Sequence, residues 1–155
     1  MKQLDFYYDI VCPYAYMASL EVEALAERTG ARLVYKPVLL GGIYNAIGRA
    51  QEADAGQAPA QIAMGALLLA RQAFHAGVEL NFPAGHPRRT VNAMRLLIAA
   101  DDATRPALTR ALYEAYWKHG RDVSDASVLA EIAAAHGMDA GVTAQPEVKQ
   151  ALFDA

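Results

Sequence analysis

The chain of 155 residues contains a single cysteine, Cys12. One thiol cannot form an internal disulfide, so nothing requires an oxidising compartment. Long apolar runs are also missing. The longest, Met64 to Ala70, is too short to span a bilayer. The N-terminus, Met1-Lys2-Gln3-Leu4-Asp5, mixes charge and apolar residues where a signal peptide would need an apolar stretch. A soluble cytoplasmic protein is therefore expected, with no membrane partner. An excess of basic charge is lacking too: Lys+Arg number 14 against Asp+Glu 17, a net charge of −3. Arg88-Arg89 is too small a cluster for a nucleic-acid footprint. No His/Cys/Asp/Glu spacing matches a metal site, and no fixed-period repeat is visible.

What is present reads as one globular domain. Hydrophobic residues make up 54% of the chain and charged residues 20%. The length suffices for a core without covalent staples. Leu4 to Val11 is short, aromatic and branched, hence a strand. Pro13 suits the first turn of a following helix. Tyr16, Leu20 and Ala24 recur every four residues, and Gly30 is a natural stop. Arg32 to Val38 is a second strand, with Pro37 closing it. A helix between two strands implies a parallel pair with a right-handed crossover.

Beyond Leu39-Leu40-Gly41-Gly42 the pattern changes. Gln51 to Pro59 reads as a mobile loop. Ile62, Ala66, Leu69 and Ala73 keep helical spacing up to Gly77, and Phe82 to Pro87 is a turn-rich connector. Thr90 is a candidate cap for a helix carrying Val91, Met94 and Ile98 on one face. Leu108, Leu112 and Ala115 mark another helix. Ser124 is a candidate cap for one carrying Leu129 and Ile132, stopped by Gly137. Two strands alone make a poor sheet, so a further piece is expected to complete it.

Cys12 falls at the junction of the first strand and its helix. Unpaired backbone N–H groups and the positive end of the helix dipole meet there, and both favour a sulfur anion. That anion could be the cysteine's own or that of a bound ligand. A small buried hydrophobe is the plain alternative.

Phe6-Tyr7-Tyr8-Asp9-Ile10-Val11-Cys12-Pro13-Tyr14-Ala15-Tyr16 resembles the opening of the 2-hydroxychromene-2-carboxylate isomerases. These are relatives of the kappa-class glutathione transferases, in the thioredoxin-like superfamily that includes DsbA. Many members carry serine where this chain has Cys12. Pro37 to Ile43, Thr90 to Arg95 and Asp122 to Asp125 match further family segments in order and spacing. The resemblance implies an α/β fold: a thioredoxin-like βαβ part over residues 1–42, then a large all-helical insertion over 43–155. It implies glutathione as cofactor, bound at Cys12, Pro13, Tyr14 and Arg49, with Cys12 catalytic. It implies an aromatic small-molecule substrate between the two parts, near Tyr14, His86 and Asn92, and a homodimer. In such isomerases the glutathione thiolate adds to the ring-closed chromene, a bond of the opened ring rotates, and the thiolate leaves.

This chain departs from the pattern in four places. Cys12, unlike serine, can form a mixed disulfide with glutathione. Ala15 removes the resolving cysteine of a dithiol motif. Gly48-Arg49 replaces a Gly-Asn pair. The family's C-terminal thioredoxin half, with its cis-proline loop, has no counterpart before Ala155. A glutathione transferase, a monothiol DsbA-like oxidoreductase and a truncated non-catalytic domain are accordingly the alternative readings.

Overall fold

The computed structural model describes residues 2–49 and 56–155. Residues 51–55 of the expected mobile loop lie outside them.

Strand β1 spans Gln3–Tyr8, with Phe6 and Tyr8 buried and Gln3, Asp5 and Tyr7 exposed. That alternation is the pleat of a half-buried strand. β2, Arg32–Pro37, lies parallel to it in the register Gln3↔Arg32 to Tyr8↔Pro37. The pairing continues one step further, where the Val38 N–H donates to the Tyr8 carbonyl at 3.0 Å.

The crossover differs from expectation in one respect. Instead of one helix from Pro13 to Gly30 there are two, α1 (Pro13–Ser19) and α2 (Val22–Thr29). Ser19 causes part of the break. Its hydroxyl donates to the Tyr16 carbonyl at 2.6 Å, competing with the backbone ladder. The N–H groups of Leu20 and Glu21 then reach back only three residues, to Met17 and Ala18. Gly30 ends α2 at φ 62°, a left-handed conformation that glycine adopts without strain.

The helical block follows as α3 (Leu40–Ala46), α4 (Pro59–His75), α5 (Val91–Ala99), α6 (Arg105–Tyr113), α7 (Ala126–Ala135) and α8 (Pro146–Asp154). α3 was not anticipated: Gly41-Gly42 hides it from propensity. A π-helical turn, Glu114–Lys118, extends α6. Its wider coil lets Ala115, Tyr116 and Trp117 all face inward. Two caps also move. Asp125, not Ser124, caps α7, its carboxylate accepting the Ser127 N–H at 2.7 Å. Thr90 precedes α5 but makes no side-chain cap; its hydroxyl is engaged elsewhere, as shown below.

Both parts of the chain contribute to a single core cluster. Its densest region is an aromatic floor beneath the β1–α1 turn. Tyr8, Tyr113, Tyr116 and Trp117 are all buried there. Phe6 stacks on Tyr8 with centroids 5.0 Å apart, and Tyr16 stacks on Trp117 at 6.4 Å. Tyr16 is therefore a packing residue, as its helical spacing indicated. Fully burying one such aromatic removes area worth about 4–6 kcal/mol of transfer free energy. The polar tips are satisfied: Trp117 Nε1 donates to the Ile10 carbonyl at 2.8 Å, and the Tyr8 hydroxyl pairs with Thr109 at 2.6 Å. The floor thus fixes the backbone on which Cys12 is mounted.

Candidate functional site at the strand–helix turn

Cys12 is the N-cap residue of α1, at φ −88° and ψ 114°, with Pro13 at the first helical position. The thiol is partly exposed and free. The Cys12 N–H donates to the Asp9 carbonyl at 3.1 Å, and the Cys12 carbonyl accepts the Tyr16 N–H at 3.0 Å. The extended N-cap geometry and Pro13 follow directly from the strand–Cys–Pro sequence. Tyr14, on the first turn, is exposed.

Next to this turn lies a cleft of about 310 Å³. One wall is Val11, another is the start of α3 (Leu39 to Gly42, Tyr44 and Asn45), and the third is the Pro87–Val91 segment. Cys12, Tyr14, Arg49, His86 and Asn92 are not among the lining residues, but the neighbours of three of them are: Val11, Pro87 and Val91. Asn92 is exposed, and its side-chain oxygen accepts from Arg95 Nη1 at 3.3 Å. Arg95 therefore pairs within its own helix, and Asp102 pairs with Arg105 at 2.6 Å. Arg49 is exposed after Gly48, and its N–H closes α3 on the Tyr44 carbonyl at 2.8 Å.

His86 is half-buried beneath the connector. Its ring meets Phe82 and Trp117 edge-on or tilted, with centroids 5.1 and 5.3 Å away. His86 Nδ1 lies 2.8 Å from the Tyr116 hydroxyl, which also accepts the Arg88 N–H at 3.1 Å. With one hydrogen to give, Tyr116 satisfies the whole group by donating it to Nδ1. Burial holds the His86 imidazole below its usual range, favouring the neutral ring.

Several residues at the cleft escaped sequence reasoning. Arg88 and Arg89 line it, although their sequence signal was only a short basic pair. Arg88 forms an ion pair with Asp122 at 2.7 Å, while its Nε is buried without a hydrogen-bond partner. Asp9 was missed entirely. Its carboxyl is almost fully buried, at 2% exposure, and accepts from the Val11 N–H at 3.2 Å, the Leu40 N–H at 2.8 Å and the Thr90 side chain. This is where the Thr90 hydroxyl goes in place of capping α5. Burial raises the Asp9 carboxyl above its ordinary range, and the hydrogen bonds oppose that shift without cancelling it. A charged residue at the end of an aromatic strand is the one trace of this role in the sequence.

Among the described residues no helix is long and apolar enough to cross a membrane. The geometry therefore comprises a lone thiol at a helix N-cap, a parallel βαβ unit beneath it, and a helical block forming the far wall of a cleft. Comparison with known proteins finds the same overall fold. Residues 3–153 match the model of the DsbA-like thioredoxin domain. The chain is 30% identical over 139 residues to the 2-hydroxychromene-2-carboxylate isomerase of Sphingobium xenophagum, covering 90% of this chain and 70% of that one. A solved 2-hydroxychromene-2-carboxylate isomerase superposes with a TM-score of 0.79 at 21% identity, over 97% of this chain and 75% of the other. A probable DsbA oxidoreductase from Streptomyces coelicolor gives 0.73 at 25% identity, over 99% and 73%. The mixed α/β fold with a helical insertion expected from the sequence is that of a known family, and the chain belongs to the DsbA-like thioredoxin domains.

Proposed function

We propose that this chain is a glutathione-dependent cis–trans isomerase acting on an aromatic chromene carboxylate-type substrate. The observation that carries the reading is the 30% identity to an isomerase named for that substrate, over 90% of this chain. The cleft chemistry is consistent with it. Arg88 Nε is an orphan buried donor at the cleft, and Arg89 adds a second guanidinium. The exposed Arg89 guanidinium, with the Arg88 charge beside it, would pair with a carboxylate, whether from glutathione or from the substrate.

The residues present suit glutathione at Cys12, Pro13 and Tyr14. Pro13 has no N–H, and the first-turn amides of Tyr14 and Ala15 have no intrahelical partner, so they can donate to a sulfur anion. When bound, glutathione supplies a thiolate nucleophile that is regenerated at the end of the cycle. Cys12, in the slot held by serine in many relatives, donates its S–H toward that sulfur. Val11, Leu39 and Leu40 give an apolar wall for an aromatic ring. Arg88 and Arg89 orient the carboxylate end. His86 and Asn92, next in sequence to the lining residues Pro87 and Val91, are the candidate secondary contacts, with Tyr14 and Arg49 further contacts in the same reading.

The test is glutathione titration by calorimetry together with an isomerisation assay of wild type and Cys12→Ser. Retention of most activity by Cys12→Ser is expected. No heat at millimolar glutathione would refute the reading and leave a non-catalytic domain. A monothiol oxidoreductase is the second reading, favoured by the partly exposed thiol and the DsbA-type structural relative. It requires Cys12 itself, so Cys12→Ser would abolish activity, and mass spectrometry would find a glutathione mixed disulfide on the wild type. Homodimerisation belongs to the proposed function and is tested by sedimentation.

A further inference from the structure

The Asp9 carboxyl has no role in the chemistry just described, yet its contacts converge on the site. Val11, Leu40 and Thr90, three residues it fastens, come from three separate segments: the β1–α1 turn, the start of α3 and the start of α5. All three line the cleft. On its other side, the Asp9 carbonyl accepts the Cys12 N–H at 3.1 Å and the Tyr113 hydroxyl at 3.3 Å. We propose that Asp9 is the positioning residue of this site, one buried carboxylate that holds the three cleft walls together and couples them to the Cys12 turn.

The arrangement suits an ionised group. Four donors, the N–H groups of Ile10, Val11 and Leu40 and the Thr90 side chain, converge on two oxygens, and a carboxylate has lone pairs for all of them. A protonated carboxyl would turn its own O–H against one donor and release it. The titratable groups whose charge interacts with Asp9 are the phenols of Tyr113 and Tyr116, and no Arg or Lys among the described residues forms an ion pair with it. Arg88 and Arg89 share the cleft wall with its partners. Burying this carboxyl is costly, and its hydrogen bonds to the cleft segments offset that cost. The contacts it makes are those of the cleft, which is the reason to assign it to function. Protonation of Asp9 on acidification would therefore loosen Leu40, Val11 and Thr90 together and change the setting of Cys12.

The inference rests on the reading that Cys12 and the cleft form one site, but it does not depend on glutathione. Its test uses iodoacetamide, for which Cys12 is the only thiol, and the emission of Trp117, the only tryptophan, which bonds to the carbonyl next to Asp9. In Asp9→Asn one acceptor becomes a donor facing N–H or O–H groups, and in Thr90→Val a single donor is lost. The alkylation rate of Cys12 at neutral pH should change about tenfold in Asp9→Asn and about threefold in Thr90→Val, with cooperative unfolding retained. Trp117 emission should show a titration above the ordinary carboxyl range that disappears in Asp9→Asn and persists in His86→Gln, which removes the imidazole that lies against the indole. Alkylation within about twofold of wild type in both folded variants would overturn the proposal, that being the ordinary scatter of a surface change. So would an emission titration that survives Asp9→Asn. Should Asp9→Asn fail to fold, Thr90→Val decides alone, and an unchanged rate there overturns it.

Discussion

The aromatic floor beneath Cys12 and helix α4 are built from similarly apolar sequence and end in opposite states. In the floor Tyr8, Tyr113, Tyr116 and Trp117 are buried and their polar atoms are paired. Along α4 only Ala73 is buried, while Met64, Leu67, Leu68 and Phe74 are exposed. An apolar groove of about 460 Å³ runs beside it, lined among others by Leu69, Phe74, Val78 and Phe82. The comparison separates two properties that hydrophobic periodicity merges. Periodicity shows that a helix has an apolar face; whether that face is covered depends on what the rest of the chain brings to it. Here the packing is concentrated under the reactive turn.

The largest effect should come from the floor. Trp117→Ala removes a fully buried indole and its bond to Ile10, and should cost about 3–5 kcal/mol in urea unfolding. A loss below about 1 kcal/mol, the size of an ordinary surface change, would break the contrast with α4. Tyr8→Phe keeps the ring and leaves the Thr109 hydroxyl without its partner, so about 1–2 kcal/mol is expected by the same measurement.

The pH dependence of the floor should follow from its phenols. Burial raises both Tyr8 and Tyr113 above the ordinary tyrosine range. Their stabilisation is complete below the unfolded value of about 10 and is lost as the pH rises toward the folded one. Thermal midpoints should therefore fall on the alkaline side, less steeply in Tyr8→Phe. His86 runs the other way. Its lowered value makes the neutral ring the favoured folded form, so its contribution is complete above about 6.5 and declines as the pH falls through the folded value. His86→Gln should flatten the acid limb slightly.

The smallest change is expected on α4. Leu68→Gln should alter stability by less than about 0.5 kcal/mol in the monomer. A larger loss that depends on protein concentration would show that this face is covered by a second copy.

Much of this was legible from the sequence, for identifiable reasons. The βαβ start was visible because its periods are local: alternation in Phe6 and Tyr8, Pro13 opening a helix, Gly30 closing one. Cys12 stood out by rarity and by its place before a proline. Thr90 and Ser124 were misplaced as caps because the capping rule is local, whereas Thr90 spends its hydroxyl on a carboxylate far away in sequence. Arg88 and Asp122 likewise meet across the fold, and Leu40 and Asp9 are 31 residues apart. Asp9 itself resembled an ordinary strand-end acid until its partners were in view. Sequence patterns report faces and ends of elements; they carry little about which polar groups meet in the interior.

The bonds that anchor the thiol turn have a kinetic consequence. Tyr8 to Thr109, Asp9 to Tyr113 and Ile10 to Trp117 join positions 101, 104 and 107 residues apart. Non-local contacts of this kind close late, because the chain between them must be ordered first. During synthesis from the N-terminus, β1 and Cys12 emerge long before α6 and the π-helical turn that secure them. Until residues 109–117 have been made, the turn that carries Cys12 lacks the three bonds that anchor it, and arrival of that segment is the step that converts a loose ribbon into a formed site.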